Sequence, residues 1–458
     1  MSTLHAAPAQ ATAGPADAVP LRARAGAVVR SAAVLGALAA VLPVNAAVTG
    51  ASLVRRRPRT PARPAASPRR TILISGGKMT KALQLARSFH AAGHRVVLVE
   101  TERYRLTGHR FSRAVDAFHV VPQPEDPDYA DALLRIVRAE GVDVYVPVCS
   151  PKASLYDARA RAVLDPHCEV VHVDAATMPT LDDKDRFAAA AAELGLAVPE
   201  THRITDPAQV ADFAFPDDGR TFVLKSIAYD PVRRRDLTPL PRPTPEETAA
   251  FAHSLPISDD NPWILQEFVA GEEFCTHSTV RGGRVQLHCC CRSSSFQLNY
   301  EHVEDPEIEE WVVRFVGALG LTGQASFDFI RAADGVAYAI ECNPRTHSAI
   351  TMFYDHPGVA AAYLEDGTPT VRPTATSRPT YWLYHELWRA LRRPTSAPER
   401  ALVVLRGKEA ILDRADPLPF LLVHHLQIPL LLARNLVRAK PWLTIDFNIG
   451  KLVEPAGD

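Results

Sequence analysis

Three oxygen-bearing side chains in the C-terminal half are spaced as a magnesium site would need them. Residues 326–347 read SFDFIRAADGVAYAIECNPRTH. SFDFI and VAYAIEC alternate apolar and polar residues around AADG, which predicts an antiparallel hairpin ending at Asn343-Pro344. Period-two alternation sets Asp328 on the face opposite Phe327 and Phe329, and Glu341 opposite Ile340, with Asn343 on the face of Glu341. Asp328, Glu341 and Asn343 could thus converge as a few hard oxygens, leaving water and phosphate to complete an octahedron around Mg2+. Arg345, one pleat on, would bring the positive charge that phosphoryl transfer needs. A polar-faced surface hairpin with an ordinary ion pair is the plainer alternative.

Phosphate chemistry also needs cations, and lysine is scarce: eight of the 51 basic residues. Lys225 lies inside the short apolar strand FVLKS (222–226), where a buried cation needs a partner such as a phosphate oxygen. Lys184 belongs to LDDKDRFAAAAAELGL, a predicted helix with an acidic first turn, and taken alone it is a solvated helix residue. ILQEFVAGEEF (264–274) reads as strand, turn, strand. With these pieces in order before Asp-x12-Glu-x-Asn-Pro-Arg, the chain resembles the ATP-grasp ligases. The resemblance implies Lys184 and Lys225 on the α- and β-phosphates, adenine over the hinge Gln266, Glu267, Phe268 and Val269, and Glu273 on the ribose. It also implies two Mg2+ on Asp328, Glu341 and Asn343. One departure is the loop after Lys225, SIAYDPVRRRDLTPLP, which has no glycine where that superfamily is often glycine-rich. Arg233, Arg234 and Arg235 there suit phosphate, an anionic acceptor, or merely a basic surface.

SGGKMTKALQLARSFHAAGHRVVLVE (75–100), VYVPVCSP (144–151), PWILQEFVAGEEFCTHSTV (262–280), AYAIECNPRTHSAITMFYDHPGVAAAYL (337–364) and DFNIGKLVE (446–454) resemble the mycosporine-glycine synthase family of ATP-grasp ligases. The likeness runs from about Thr71 to the end, and the hydrophobic N-terminal segment has a counterpart there. It implies ATP-dependent condensation of 4-deoxygadusol with glycine through a phosphorylated enol. Lys225 and Arg345 would be catalytic, with Arg345 stabilising the intermediate. Gly76, Gly77, Arg292, Ser294, Asn299, Arg345 and His347 are the acceptor candidates. Two other readings stay open: a carboxylate–amine ligase working through an acyl phosphate, and a membrane-tethered ATP-binding protein without turnover. The complete oxygen set and both lysines speak against the second.

The elements that must position these residues predict an α/β chain, in which an ATP-grasp fold follows a Rossmann-like domain and precedes a mostly helical extension. TILISGG, the helix from KMTKALQ to Gly93, and RVVLVE form a βαβ unit. Its Gly76-Gly77 turn suits either close strand–helix packing or a substrate loop. The GxGxxG fingerprint is missing, so Glu100 is not assigned to a nucleotide ribose. The expected divisions are 1–70, a disordered segment, anchor and Pro/Arg linker; 71–178, the βαβ domain; 179–370, the ATP-grasp domain; and 371–458, the extension.

With 47% hydrophobic content, 458 residues can bury two or three cores, and a net charge of −1 gives no electrostatic case for nucleic acid. Seven cysteines without C-x-x-C spacing, three of them consecutive, point to reduced cytoplasmic thiols rather than zinc. Residues 31–54 carry no charge and are flanked by Arg22, Arg24 and Arg30 before and RRRPR after. They predict an anchor that spans or lies on a membrane, with the catalytic part on the cytoplasmic face. Residues 420–432 are apolar but contain His424, His425 and Gln427, which suits a buried or interfacial helix. A homodimer is left open.

Overall fold

The computed structural model describes residues 21–54, 68–227, 233, 236–293 and 299–454. Arg234, Arg235, Ser294, the segment 1–20 and most of the Pro/Arg run lie outside the described residues.

The first sheet is wholly parallel, in the order β3-β2-β1-β4-β5, from β1 (Thr71–Ile74), β2 (Arg95–Thr101), β3 (Ala117–Val121), β4 (Val144–Val146) and β5 (Glu169–Val170). Its inner strands β1 and β4, TILI and VYV, read as near-continuous apolar runs because both faces are covered. Ile72, Ile74, Val96 and Leu98 enter one core while Leu73, Val97 and Val99 enter another, as alternation along a strand dictates.

Two antiparallel sheets follow. One has the order β6-β8-β7, from β6 (Thr201–Ile204), β7 (Phe222–Ser226) and β8 (Trp263–Glu267). The other has the order β10-β9-β12-β13, from β9 (Gly271–Arg281), β10 (Arg284–Arg292), β12 (Gly323–Ala332) and β13 (Ala337–Asn343), while β11 (Asn299–Tyr300) pairs with Thr380–Tyr381. Phe327 and Phe329 of β12 meet Phe187, Trp311 and Phe315 in an aromatic core. Trp311 and Phe315 are set by the helix Pro306–Ala318, started by Pro306 and capped by Asp305 accepting from the Ile308 amide at 3.2 Å. In β10, Cys289 and Cys291 face one core and Cys290 the other; all seven cysteines are free and buried.

The long helix expected over 181–196 is two helices, Met178–Asp182 and Lys184–Glu193. Asp183 ends the first and caps the second, accepting from the Asp185 amide at 3.0 Å. The break leaves Lys184 as the first residue of a helix. The C-terminal segment is mostly helical and returns through the hairpin Thr444–Asp446 and Lys451–Val453. Two helices, Arg24–Val54 and Leu418–Val437, are long and apolar enough to cross a membrane by length and composition.

Candidate active site

The hairpin of β12 and β13 sets Asp328 opposite Glu341 and Ser326 opposite Asn343, with a bulge after Asp328. Its turn is closed by the Gly335 amide donating to the Ala332 carbonyl at 3.0 Å, with Gly335 at φ +88°. The faces alternate as the sequence demands. Phe327 and Phe329 are fully buried, while Asp328 and Glu341 are only partly covered and share the other side.

Cations reach this face from separate elements. Lys184 Nζ lies 3.2 Å from Glu341 Oε1. Lys225 projects from the neighbouring sheet and donates to Gln266 Oε1 at 2.9 Å, and Gln266 in turn donates to Thr201 at 3.1 Å. Arg345 bonds Asn343 Oδ1 through its guanidinium and the Asn343 carbonyl through its amide, and lies 3.9 Å from Asp182. Burial holds the Lys225 ammonium down to about 8, the charge of Lys184 adding to the effect. Two lysines facing one volume repel, and an anion between them would relieve that repulsion.

The carboxylates carry the complementary signature. Burial pushes Asp328 up, and the like charge of Glu341 pushes it further. Burial would also raise Glu341, but Lys184 and Arg345 outweigh it and hold that group low. Asn343 donates through Nδ2 to Asp328 Oδ2 at 3.4 Å while its Oδ1 accepts from Arg345, so it lies between the carboxylates and the guanidinium. Among the described residues no group of three or more His, Cys, Asp and Glu is placed to hold a metal. The oxygen set is therefore two carboxylates and one amide. That fits Mg2+, which keeps water and phosphate in its remaining positions.

Around the expected hinge, the Glu267 amide donates to the Glu200 carbonyl at 2.8 Å and the Phe268 amide to the Thr221 carbonyl at 2.7 Å. The Phe268 amide is thereby committed to the fold. Phe268 exposes its ring, and the Glu267 carboxylate faces Arg220 and the Glu200 amide. Glu273, exposed on β9, pairs in register with Ile330 and is near enough to raise Lys225 and Asp328.

The acceptor candidates divide. His347 is close to Lys81 and Arg345; burial first, then those two charges, hold its imidazole down to about 3, so it is neutral. Tyr300 packs edge-on against it at 5.2 Å, with Asn299 adjacent. Arg292 is not brought to this group: its side chain is 68% exposed and pairs with Glu272 at 3.0 Å. Gly76 adopts φ +66°, and a Cβ there would stand 2.0 Å from the Val148 carbonyl oxygen. Gly77 donates to Val99, and its carbonyl accepts from the His109 ring at 3.0 Å. Both glycines are thus accounted for by close packing. Glu100, the residue a dinucleotide fold would turn to a ribose, instead accepts from the Lys78 amide at 3.0 Å.

Lys81 is the residue sequence reasoning passed over. It sits on the first turn of the helix Thr80–Ala91, fully enclosed, and donates to the Thr346 carbonyl at 2.6 Å, one residue from Arg345. Burial, then Arg345, holds it down to about 7. The scarcity of lysine was the signal that could have found it. The loop 446–450 completes the surroundings, with Asn448 accepting from the Thr80 amide and donating to Ser348 at 2.7 Å.

No protein-family model matches the chain, and no curated protein matches it. Solved structures do. The ADP complex of N5-carboxyaminoimidazole ribonucleotide synthetase aligns at TM-score 0.51 and 16% identity, over 71% of this chain and 86% of that one. The N5-carboxyaminoimidazole synthetase of Staphylococcus aureus aligns at TM-score 0.51 and 14% identity, over 68% and 80%. L-amino acid ligase from Bacillus licheniformis aligns at TM-score 0.43 and 17% identity, over 60% and 67%. At these identities the likeness is one of fold.

Proposed function

We propose that this chain, which has the ATP-grasp fold, is an ATP-dependent ligase that condenses 4-deoxygadusol with glycine. The observation that carries the ATP half is the convergence of Lys184 and Lys225 on the face of Asp328 and Glu341. The acceptor half rests on the five sequence segments that resemble the mycosporine-glycine synthase family.

Lys184 and Lys225 would hold the non-transferred phosphates, with adenine along 266–269 and the ribose toward Glu273. The cyclohexenone enolate oxygen forms a bond to the γ-phosphorus as the bond to the ADP oxygen breaks. The glycine amine then bonds to that ring carbon, gives up a proton, and phosphate leaves with the carbon–oxygen bond's electrons. Asp328, Glu341 and Asn343 would hold Mg2+, which when bound neutralises charge on the transferring group. Arg345, which lies 3.9 Å from Asp182, would offset charge on the phosphorylated intermediate. Neutral His347 beside Arg345 suits a neutral hydroxyl or carbonyl better than a cation. The catalytic body would be cytoplasmic, held at the membrane through residues 31–54.

The test is phosphate release by purified protein with ATP, Mg2+ and glycine, with and without 4-deoxygadusol. Phosphate and a new ultraviolet-absorbing aminocyclohexenone should appear only with both acceptors. Turnover on carboxylic acids and amines instead would favour the second reading, an amide-forming ligase working through an acyl phosphate.

A further inference from the structure

The N-terminal helix Leu21–Val54 buries the wrong residues for a helix in water. Ser31, Asn45 and Thr49 face the protein with Ala27 and Leu38, whereas Val41, Leu42, Val44 and Val48 face outward. Ser31 accepts from the Trp442 indole at 2.9 Å, and Asn45 donates to the Tyr384 hydroxyl at 2.6 Å. A soluble helix turns its apolar stripe inward; polar-in and apolar-out is how a lipid-facing helix is arranged. Those contacts are about 21 Å apart at the 1.5 Å rise of a helix. Between them the helix lies along the protein body instead of standing away from it.

The helices beside it repeat the pattern. Leu383–Arg392 and Ala397–Arg406 pack together as a hairpin, and Tyr384, which meets Asn45, belongs to the first of them. Leu387, Trp388 and Leu391, at i, i+1 and i+4, leave one face of the first helix, and Leu402 and Leu405 leave the second. Leu391 is 74% exposed and Leu405 77%. Inside the hairpin, Glu386 is buried and pairs with both Arg389 and Arg400 at 3.4 Å, tying the helices together. Arg392, Arg393 and Arg406 remain exposed around the apolar side chains. Residues 383–406 hold five arginines against two glutamates, in a chain whose net charge is −1.

We propose that the hairpin 383–406, with the outer face of the N-terminal helix beside it, docks on an anionic lipid bilayer and lies in the plane of its interface. Leucines and a tryptophan enter the headgroup boundary while the arginines meet lipid phosphates, the composition of an interfacial amphipathic element. The cationic rim selects this partner over a second copy of the chain, whose rim would carry the same charge. This inference is independent of the ligase reading. It extends the expected anchor from the N-terminal stretch to a surface that begins 329 positions beyond its end.

Trp388 makes the proposal testable in the full-length protein. It is 47% exposed, whereas Trp263, Trp311, Trp382 and Trp442 are buried, so aqueous iodide quenching reports on Trp388. The protein would be mixed with vesicles of phosphatidylcholine alone, or with 30% phosphatidylglycerol, and assayed by sedimentation and quenching. Binding to the anionic vesicles should exceed binding to the neutral ones by about tenfold or more, fall with salt, and shield Trp388. Leu391→Glu with Leu405→Glu, at sites too exposed to disturb folding, should weaken vesicle binding about tenfold while ATP-dependent phosphate release is unchanged. Undiminished vesicle binding by this variant, or a Trp388 still open to iodide on vesicles, would overturn the proposal and leave the N-terminal helix as the sole contact. A wild-type dimer that the variant turns into a monomer, measured by light scattering without lipid, would overturn it in favour of a second copy.

Discussion

Replacing Lys225 by Met should stabilise the ligand-free protein while crippling ATP use. The lysine's ordinary value of 10.5 falls to about 8 in the fold, by burial and by Lys184. A native value below the unfolded one means the unfolded chain binds the proton more tightly. Stability is therefore reduced in full below about pH 8, and the deficit fades as pH rises from 8 toward 10.5. At about 1.4 kcal/mol per unit, the penalty near pH 7 is at most about 3 kcal/mol. Met keeps the aliphatic stem but forfeits the bond to Gln266, worth about 1 kcal/mol. The net gain is about 1–2 kcal/mol, roughly 2–6 °C in Tm for a domain of this size. With the gain comes the loss of one charge-assisted phosphate contact, about 10- to 100-fold in kcat/KM for ATP. Thermal unfolding of both proteins at pH 7 and pH 9.5, with and without MgADP, checks each part. The variant should melt higher than the wild type at pH 7, converge with it at pH 9.5, and gain less from MgADP. A variant that melts lower at pH 7, or that keeps the full MgADP shift, would refute the anion-site reasoning.

Three more outcomes follow. Glu341→Ala removes one of two facing carboxylates and should abolish phosphate release with the fold intact by circular dichroism; near-normal rates would move the metal elsewhere. Gly76→Ala places a Cβ 2.0 Å from the Val148 carbonyl oxygen at φ +66°, whereas Gly141→Ala at φ +61° meets nothing within 4 Å; denaturant midpoints should show a loss of more than about 2 kcal/mol for the first and about 1 for the second. Burial holds His109, His172 and His288 down to about 4. Because native values lie below the unfolded 6.5, stability is complete above pH 6.5 and is lost as pH falls toward 4, by on the order of 1–2 kcal/mol per histidine at pH 5. Urea unfolding at pH 7.5 and 5.0 measures it.

The hairpin was legible because everything it needs is local. Alternation fixes the faces of Asp328 and Glu341, and a short turn fixes their register, so 16 residues determine the geometry. The break at Asp183 was not legible, because LDDKDRFAAAAAELGL has helical spacing throughout. An aspartate caps a helix only if its own backbone leaves the helical region, which Asp183 does at ψ 115°. The outward turn of Arg292 was not legible for a related reason: on β10 it follows the buried Cys289–Cys291 run, and only the sheet edge decides that its side chain reaches Glu272.

Lys81 shows why the rest of the site could not be read from spacing. Its helix is 265 positions from the Thr346 carbonyl it bonds, and nothing in the heptad around it distinguishes it from Lys78. What separates them is tertiary: Lys78 keeps partial access to water and a carboxylate, Glu100, at 3.6 Å, whereas Lys81 is enclosed with backbone carbonyls and a like charge, Arg345. An enclosed cation that hydrogen-bonds only backbone carbonyls is stable to the extent that it sheds its proton or gains a nearby negative charge, and Asp446 offsets only part of the burial. Arg345 cannot shed one, so the burden falls on Lys81, and a phosphorylated or carboxylate-bearing ligand between them would let both stay charged. The hairpin and the first domain therefore meet at two cations, Lys81 and Arg345, whose mutual repulsion an anionic ligand between them would relieve.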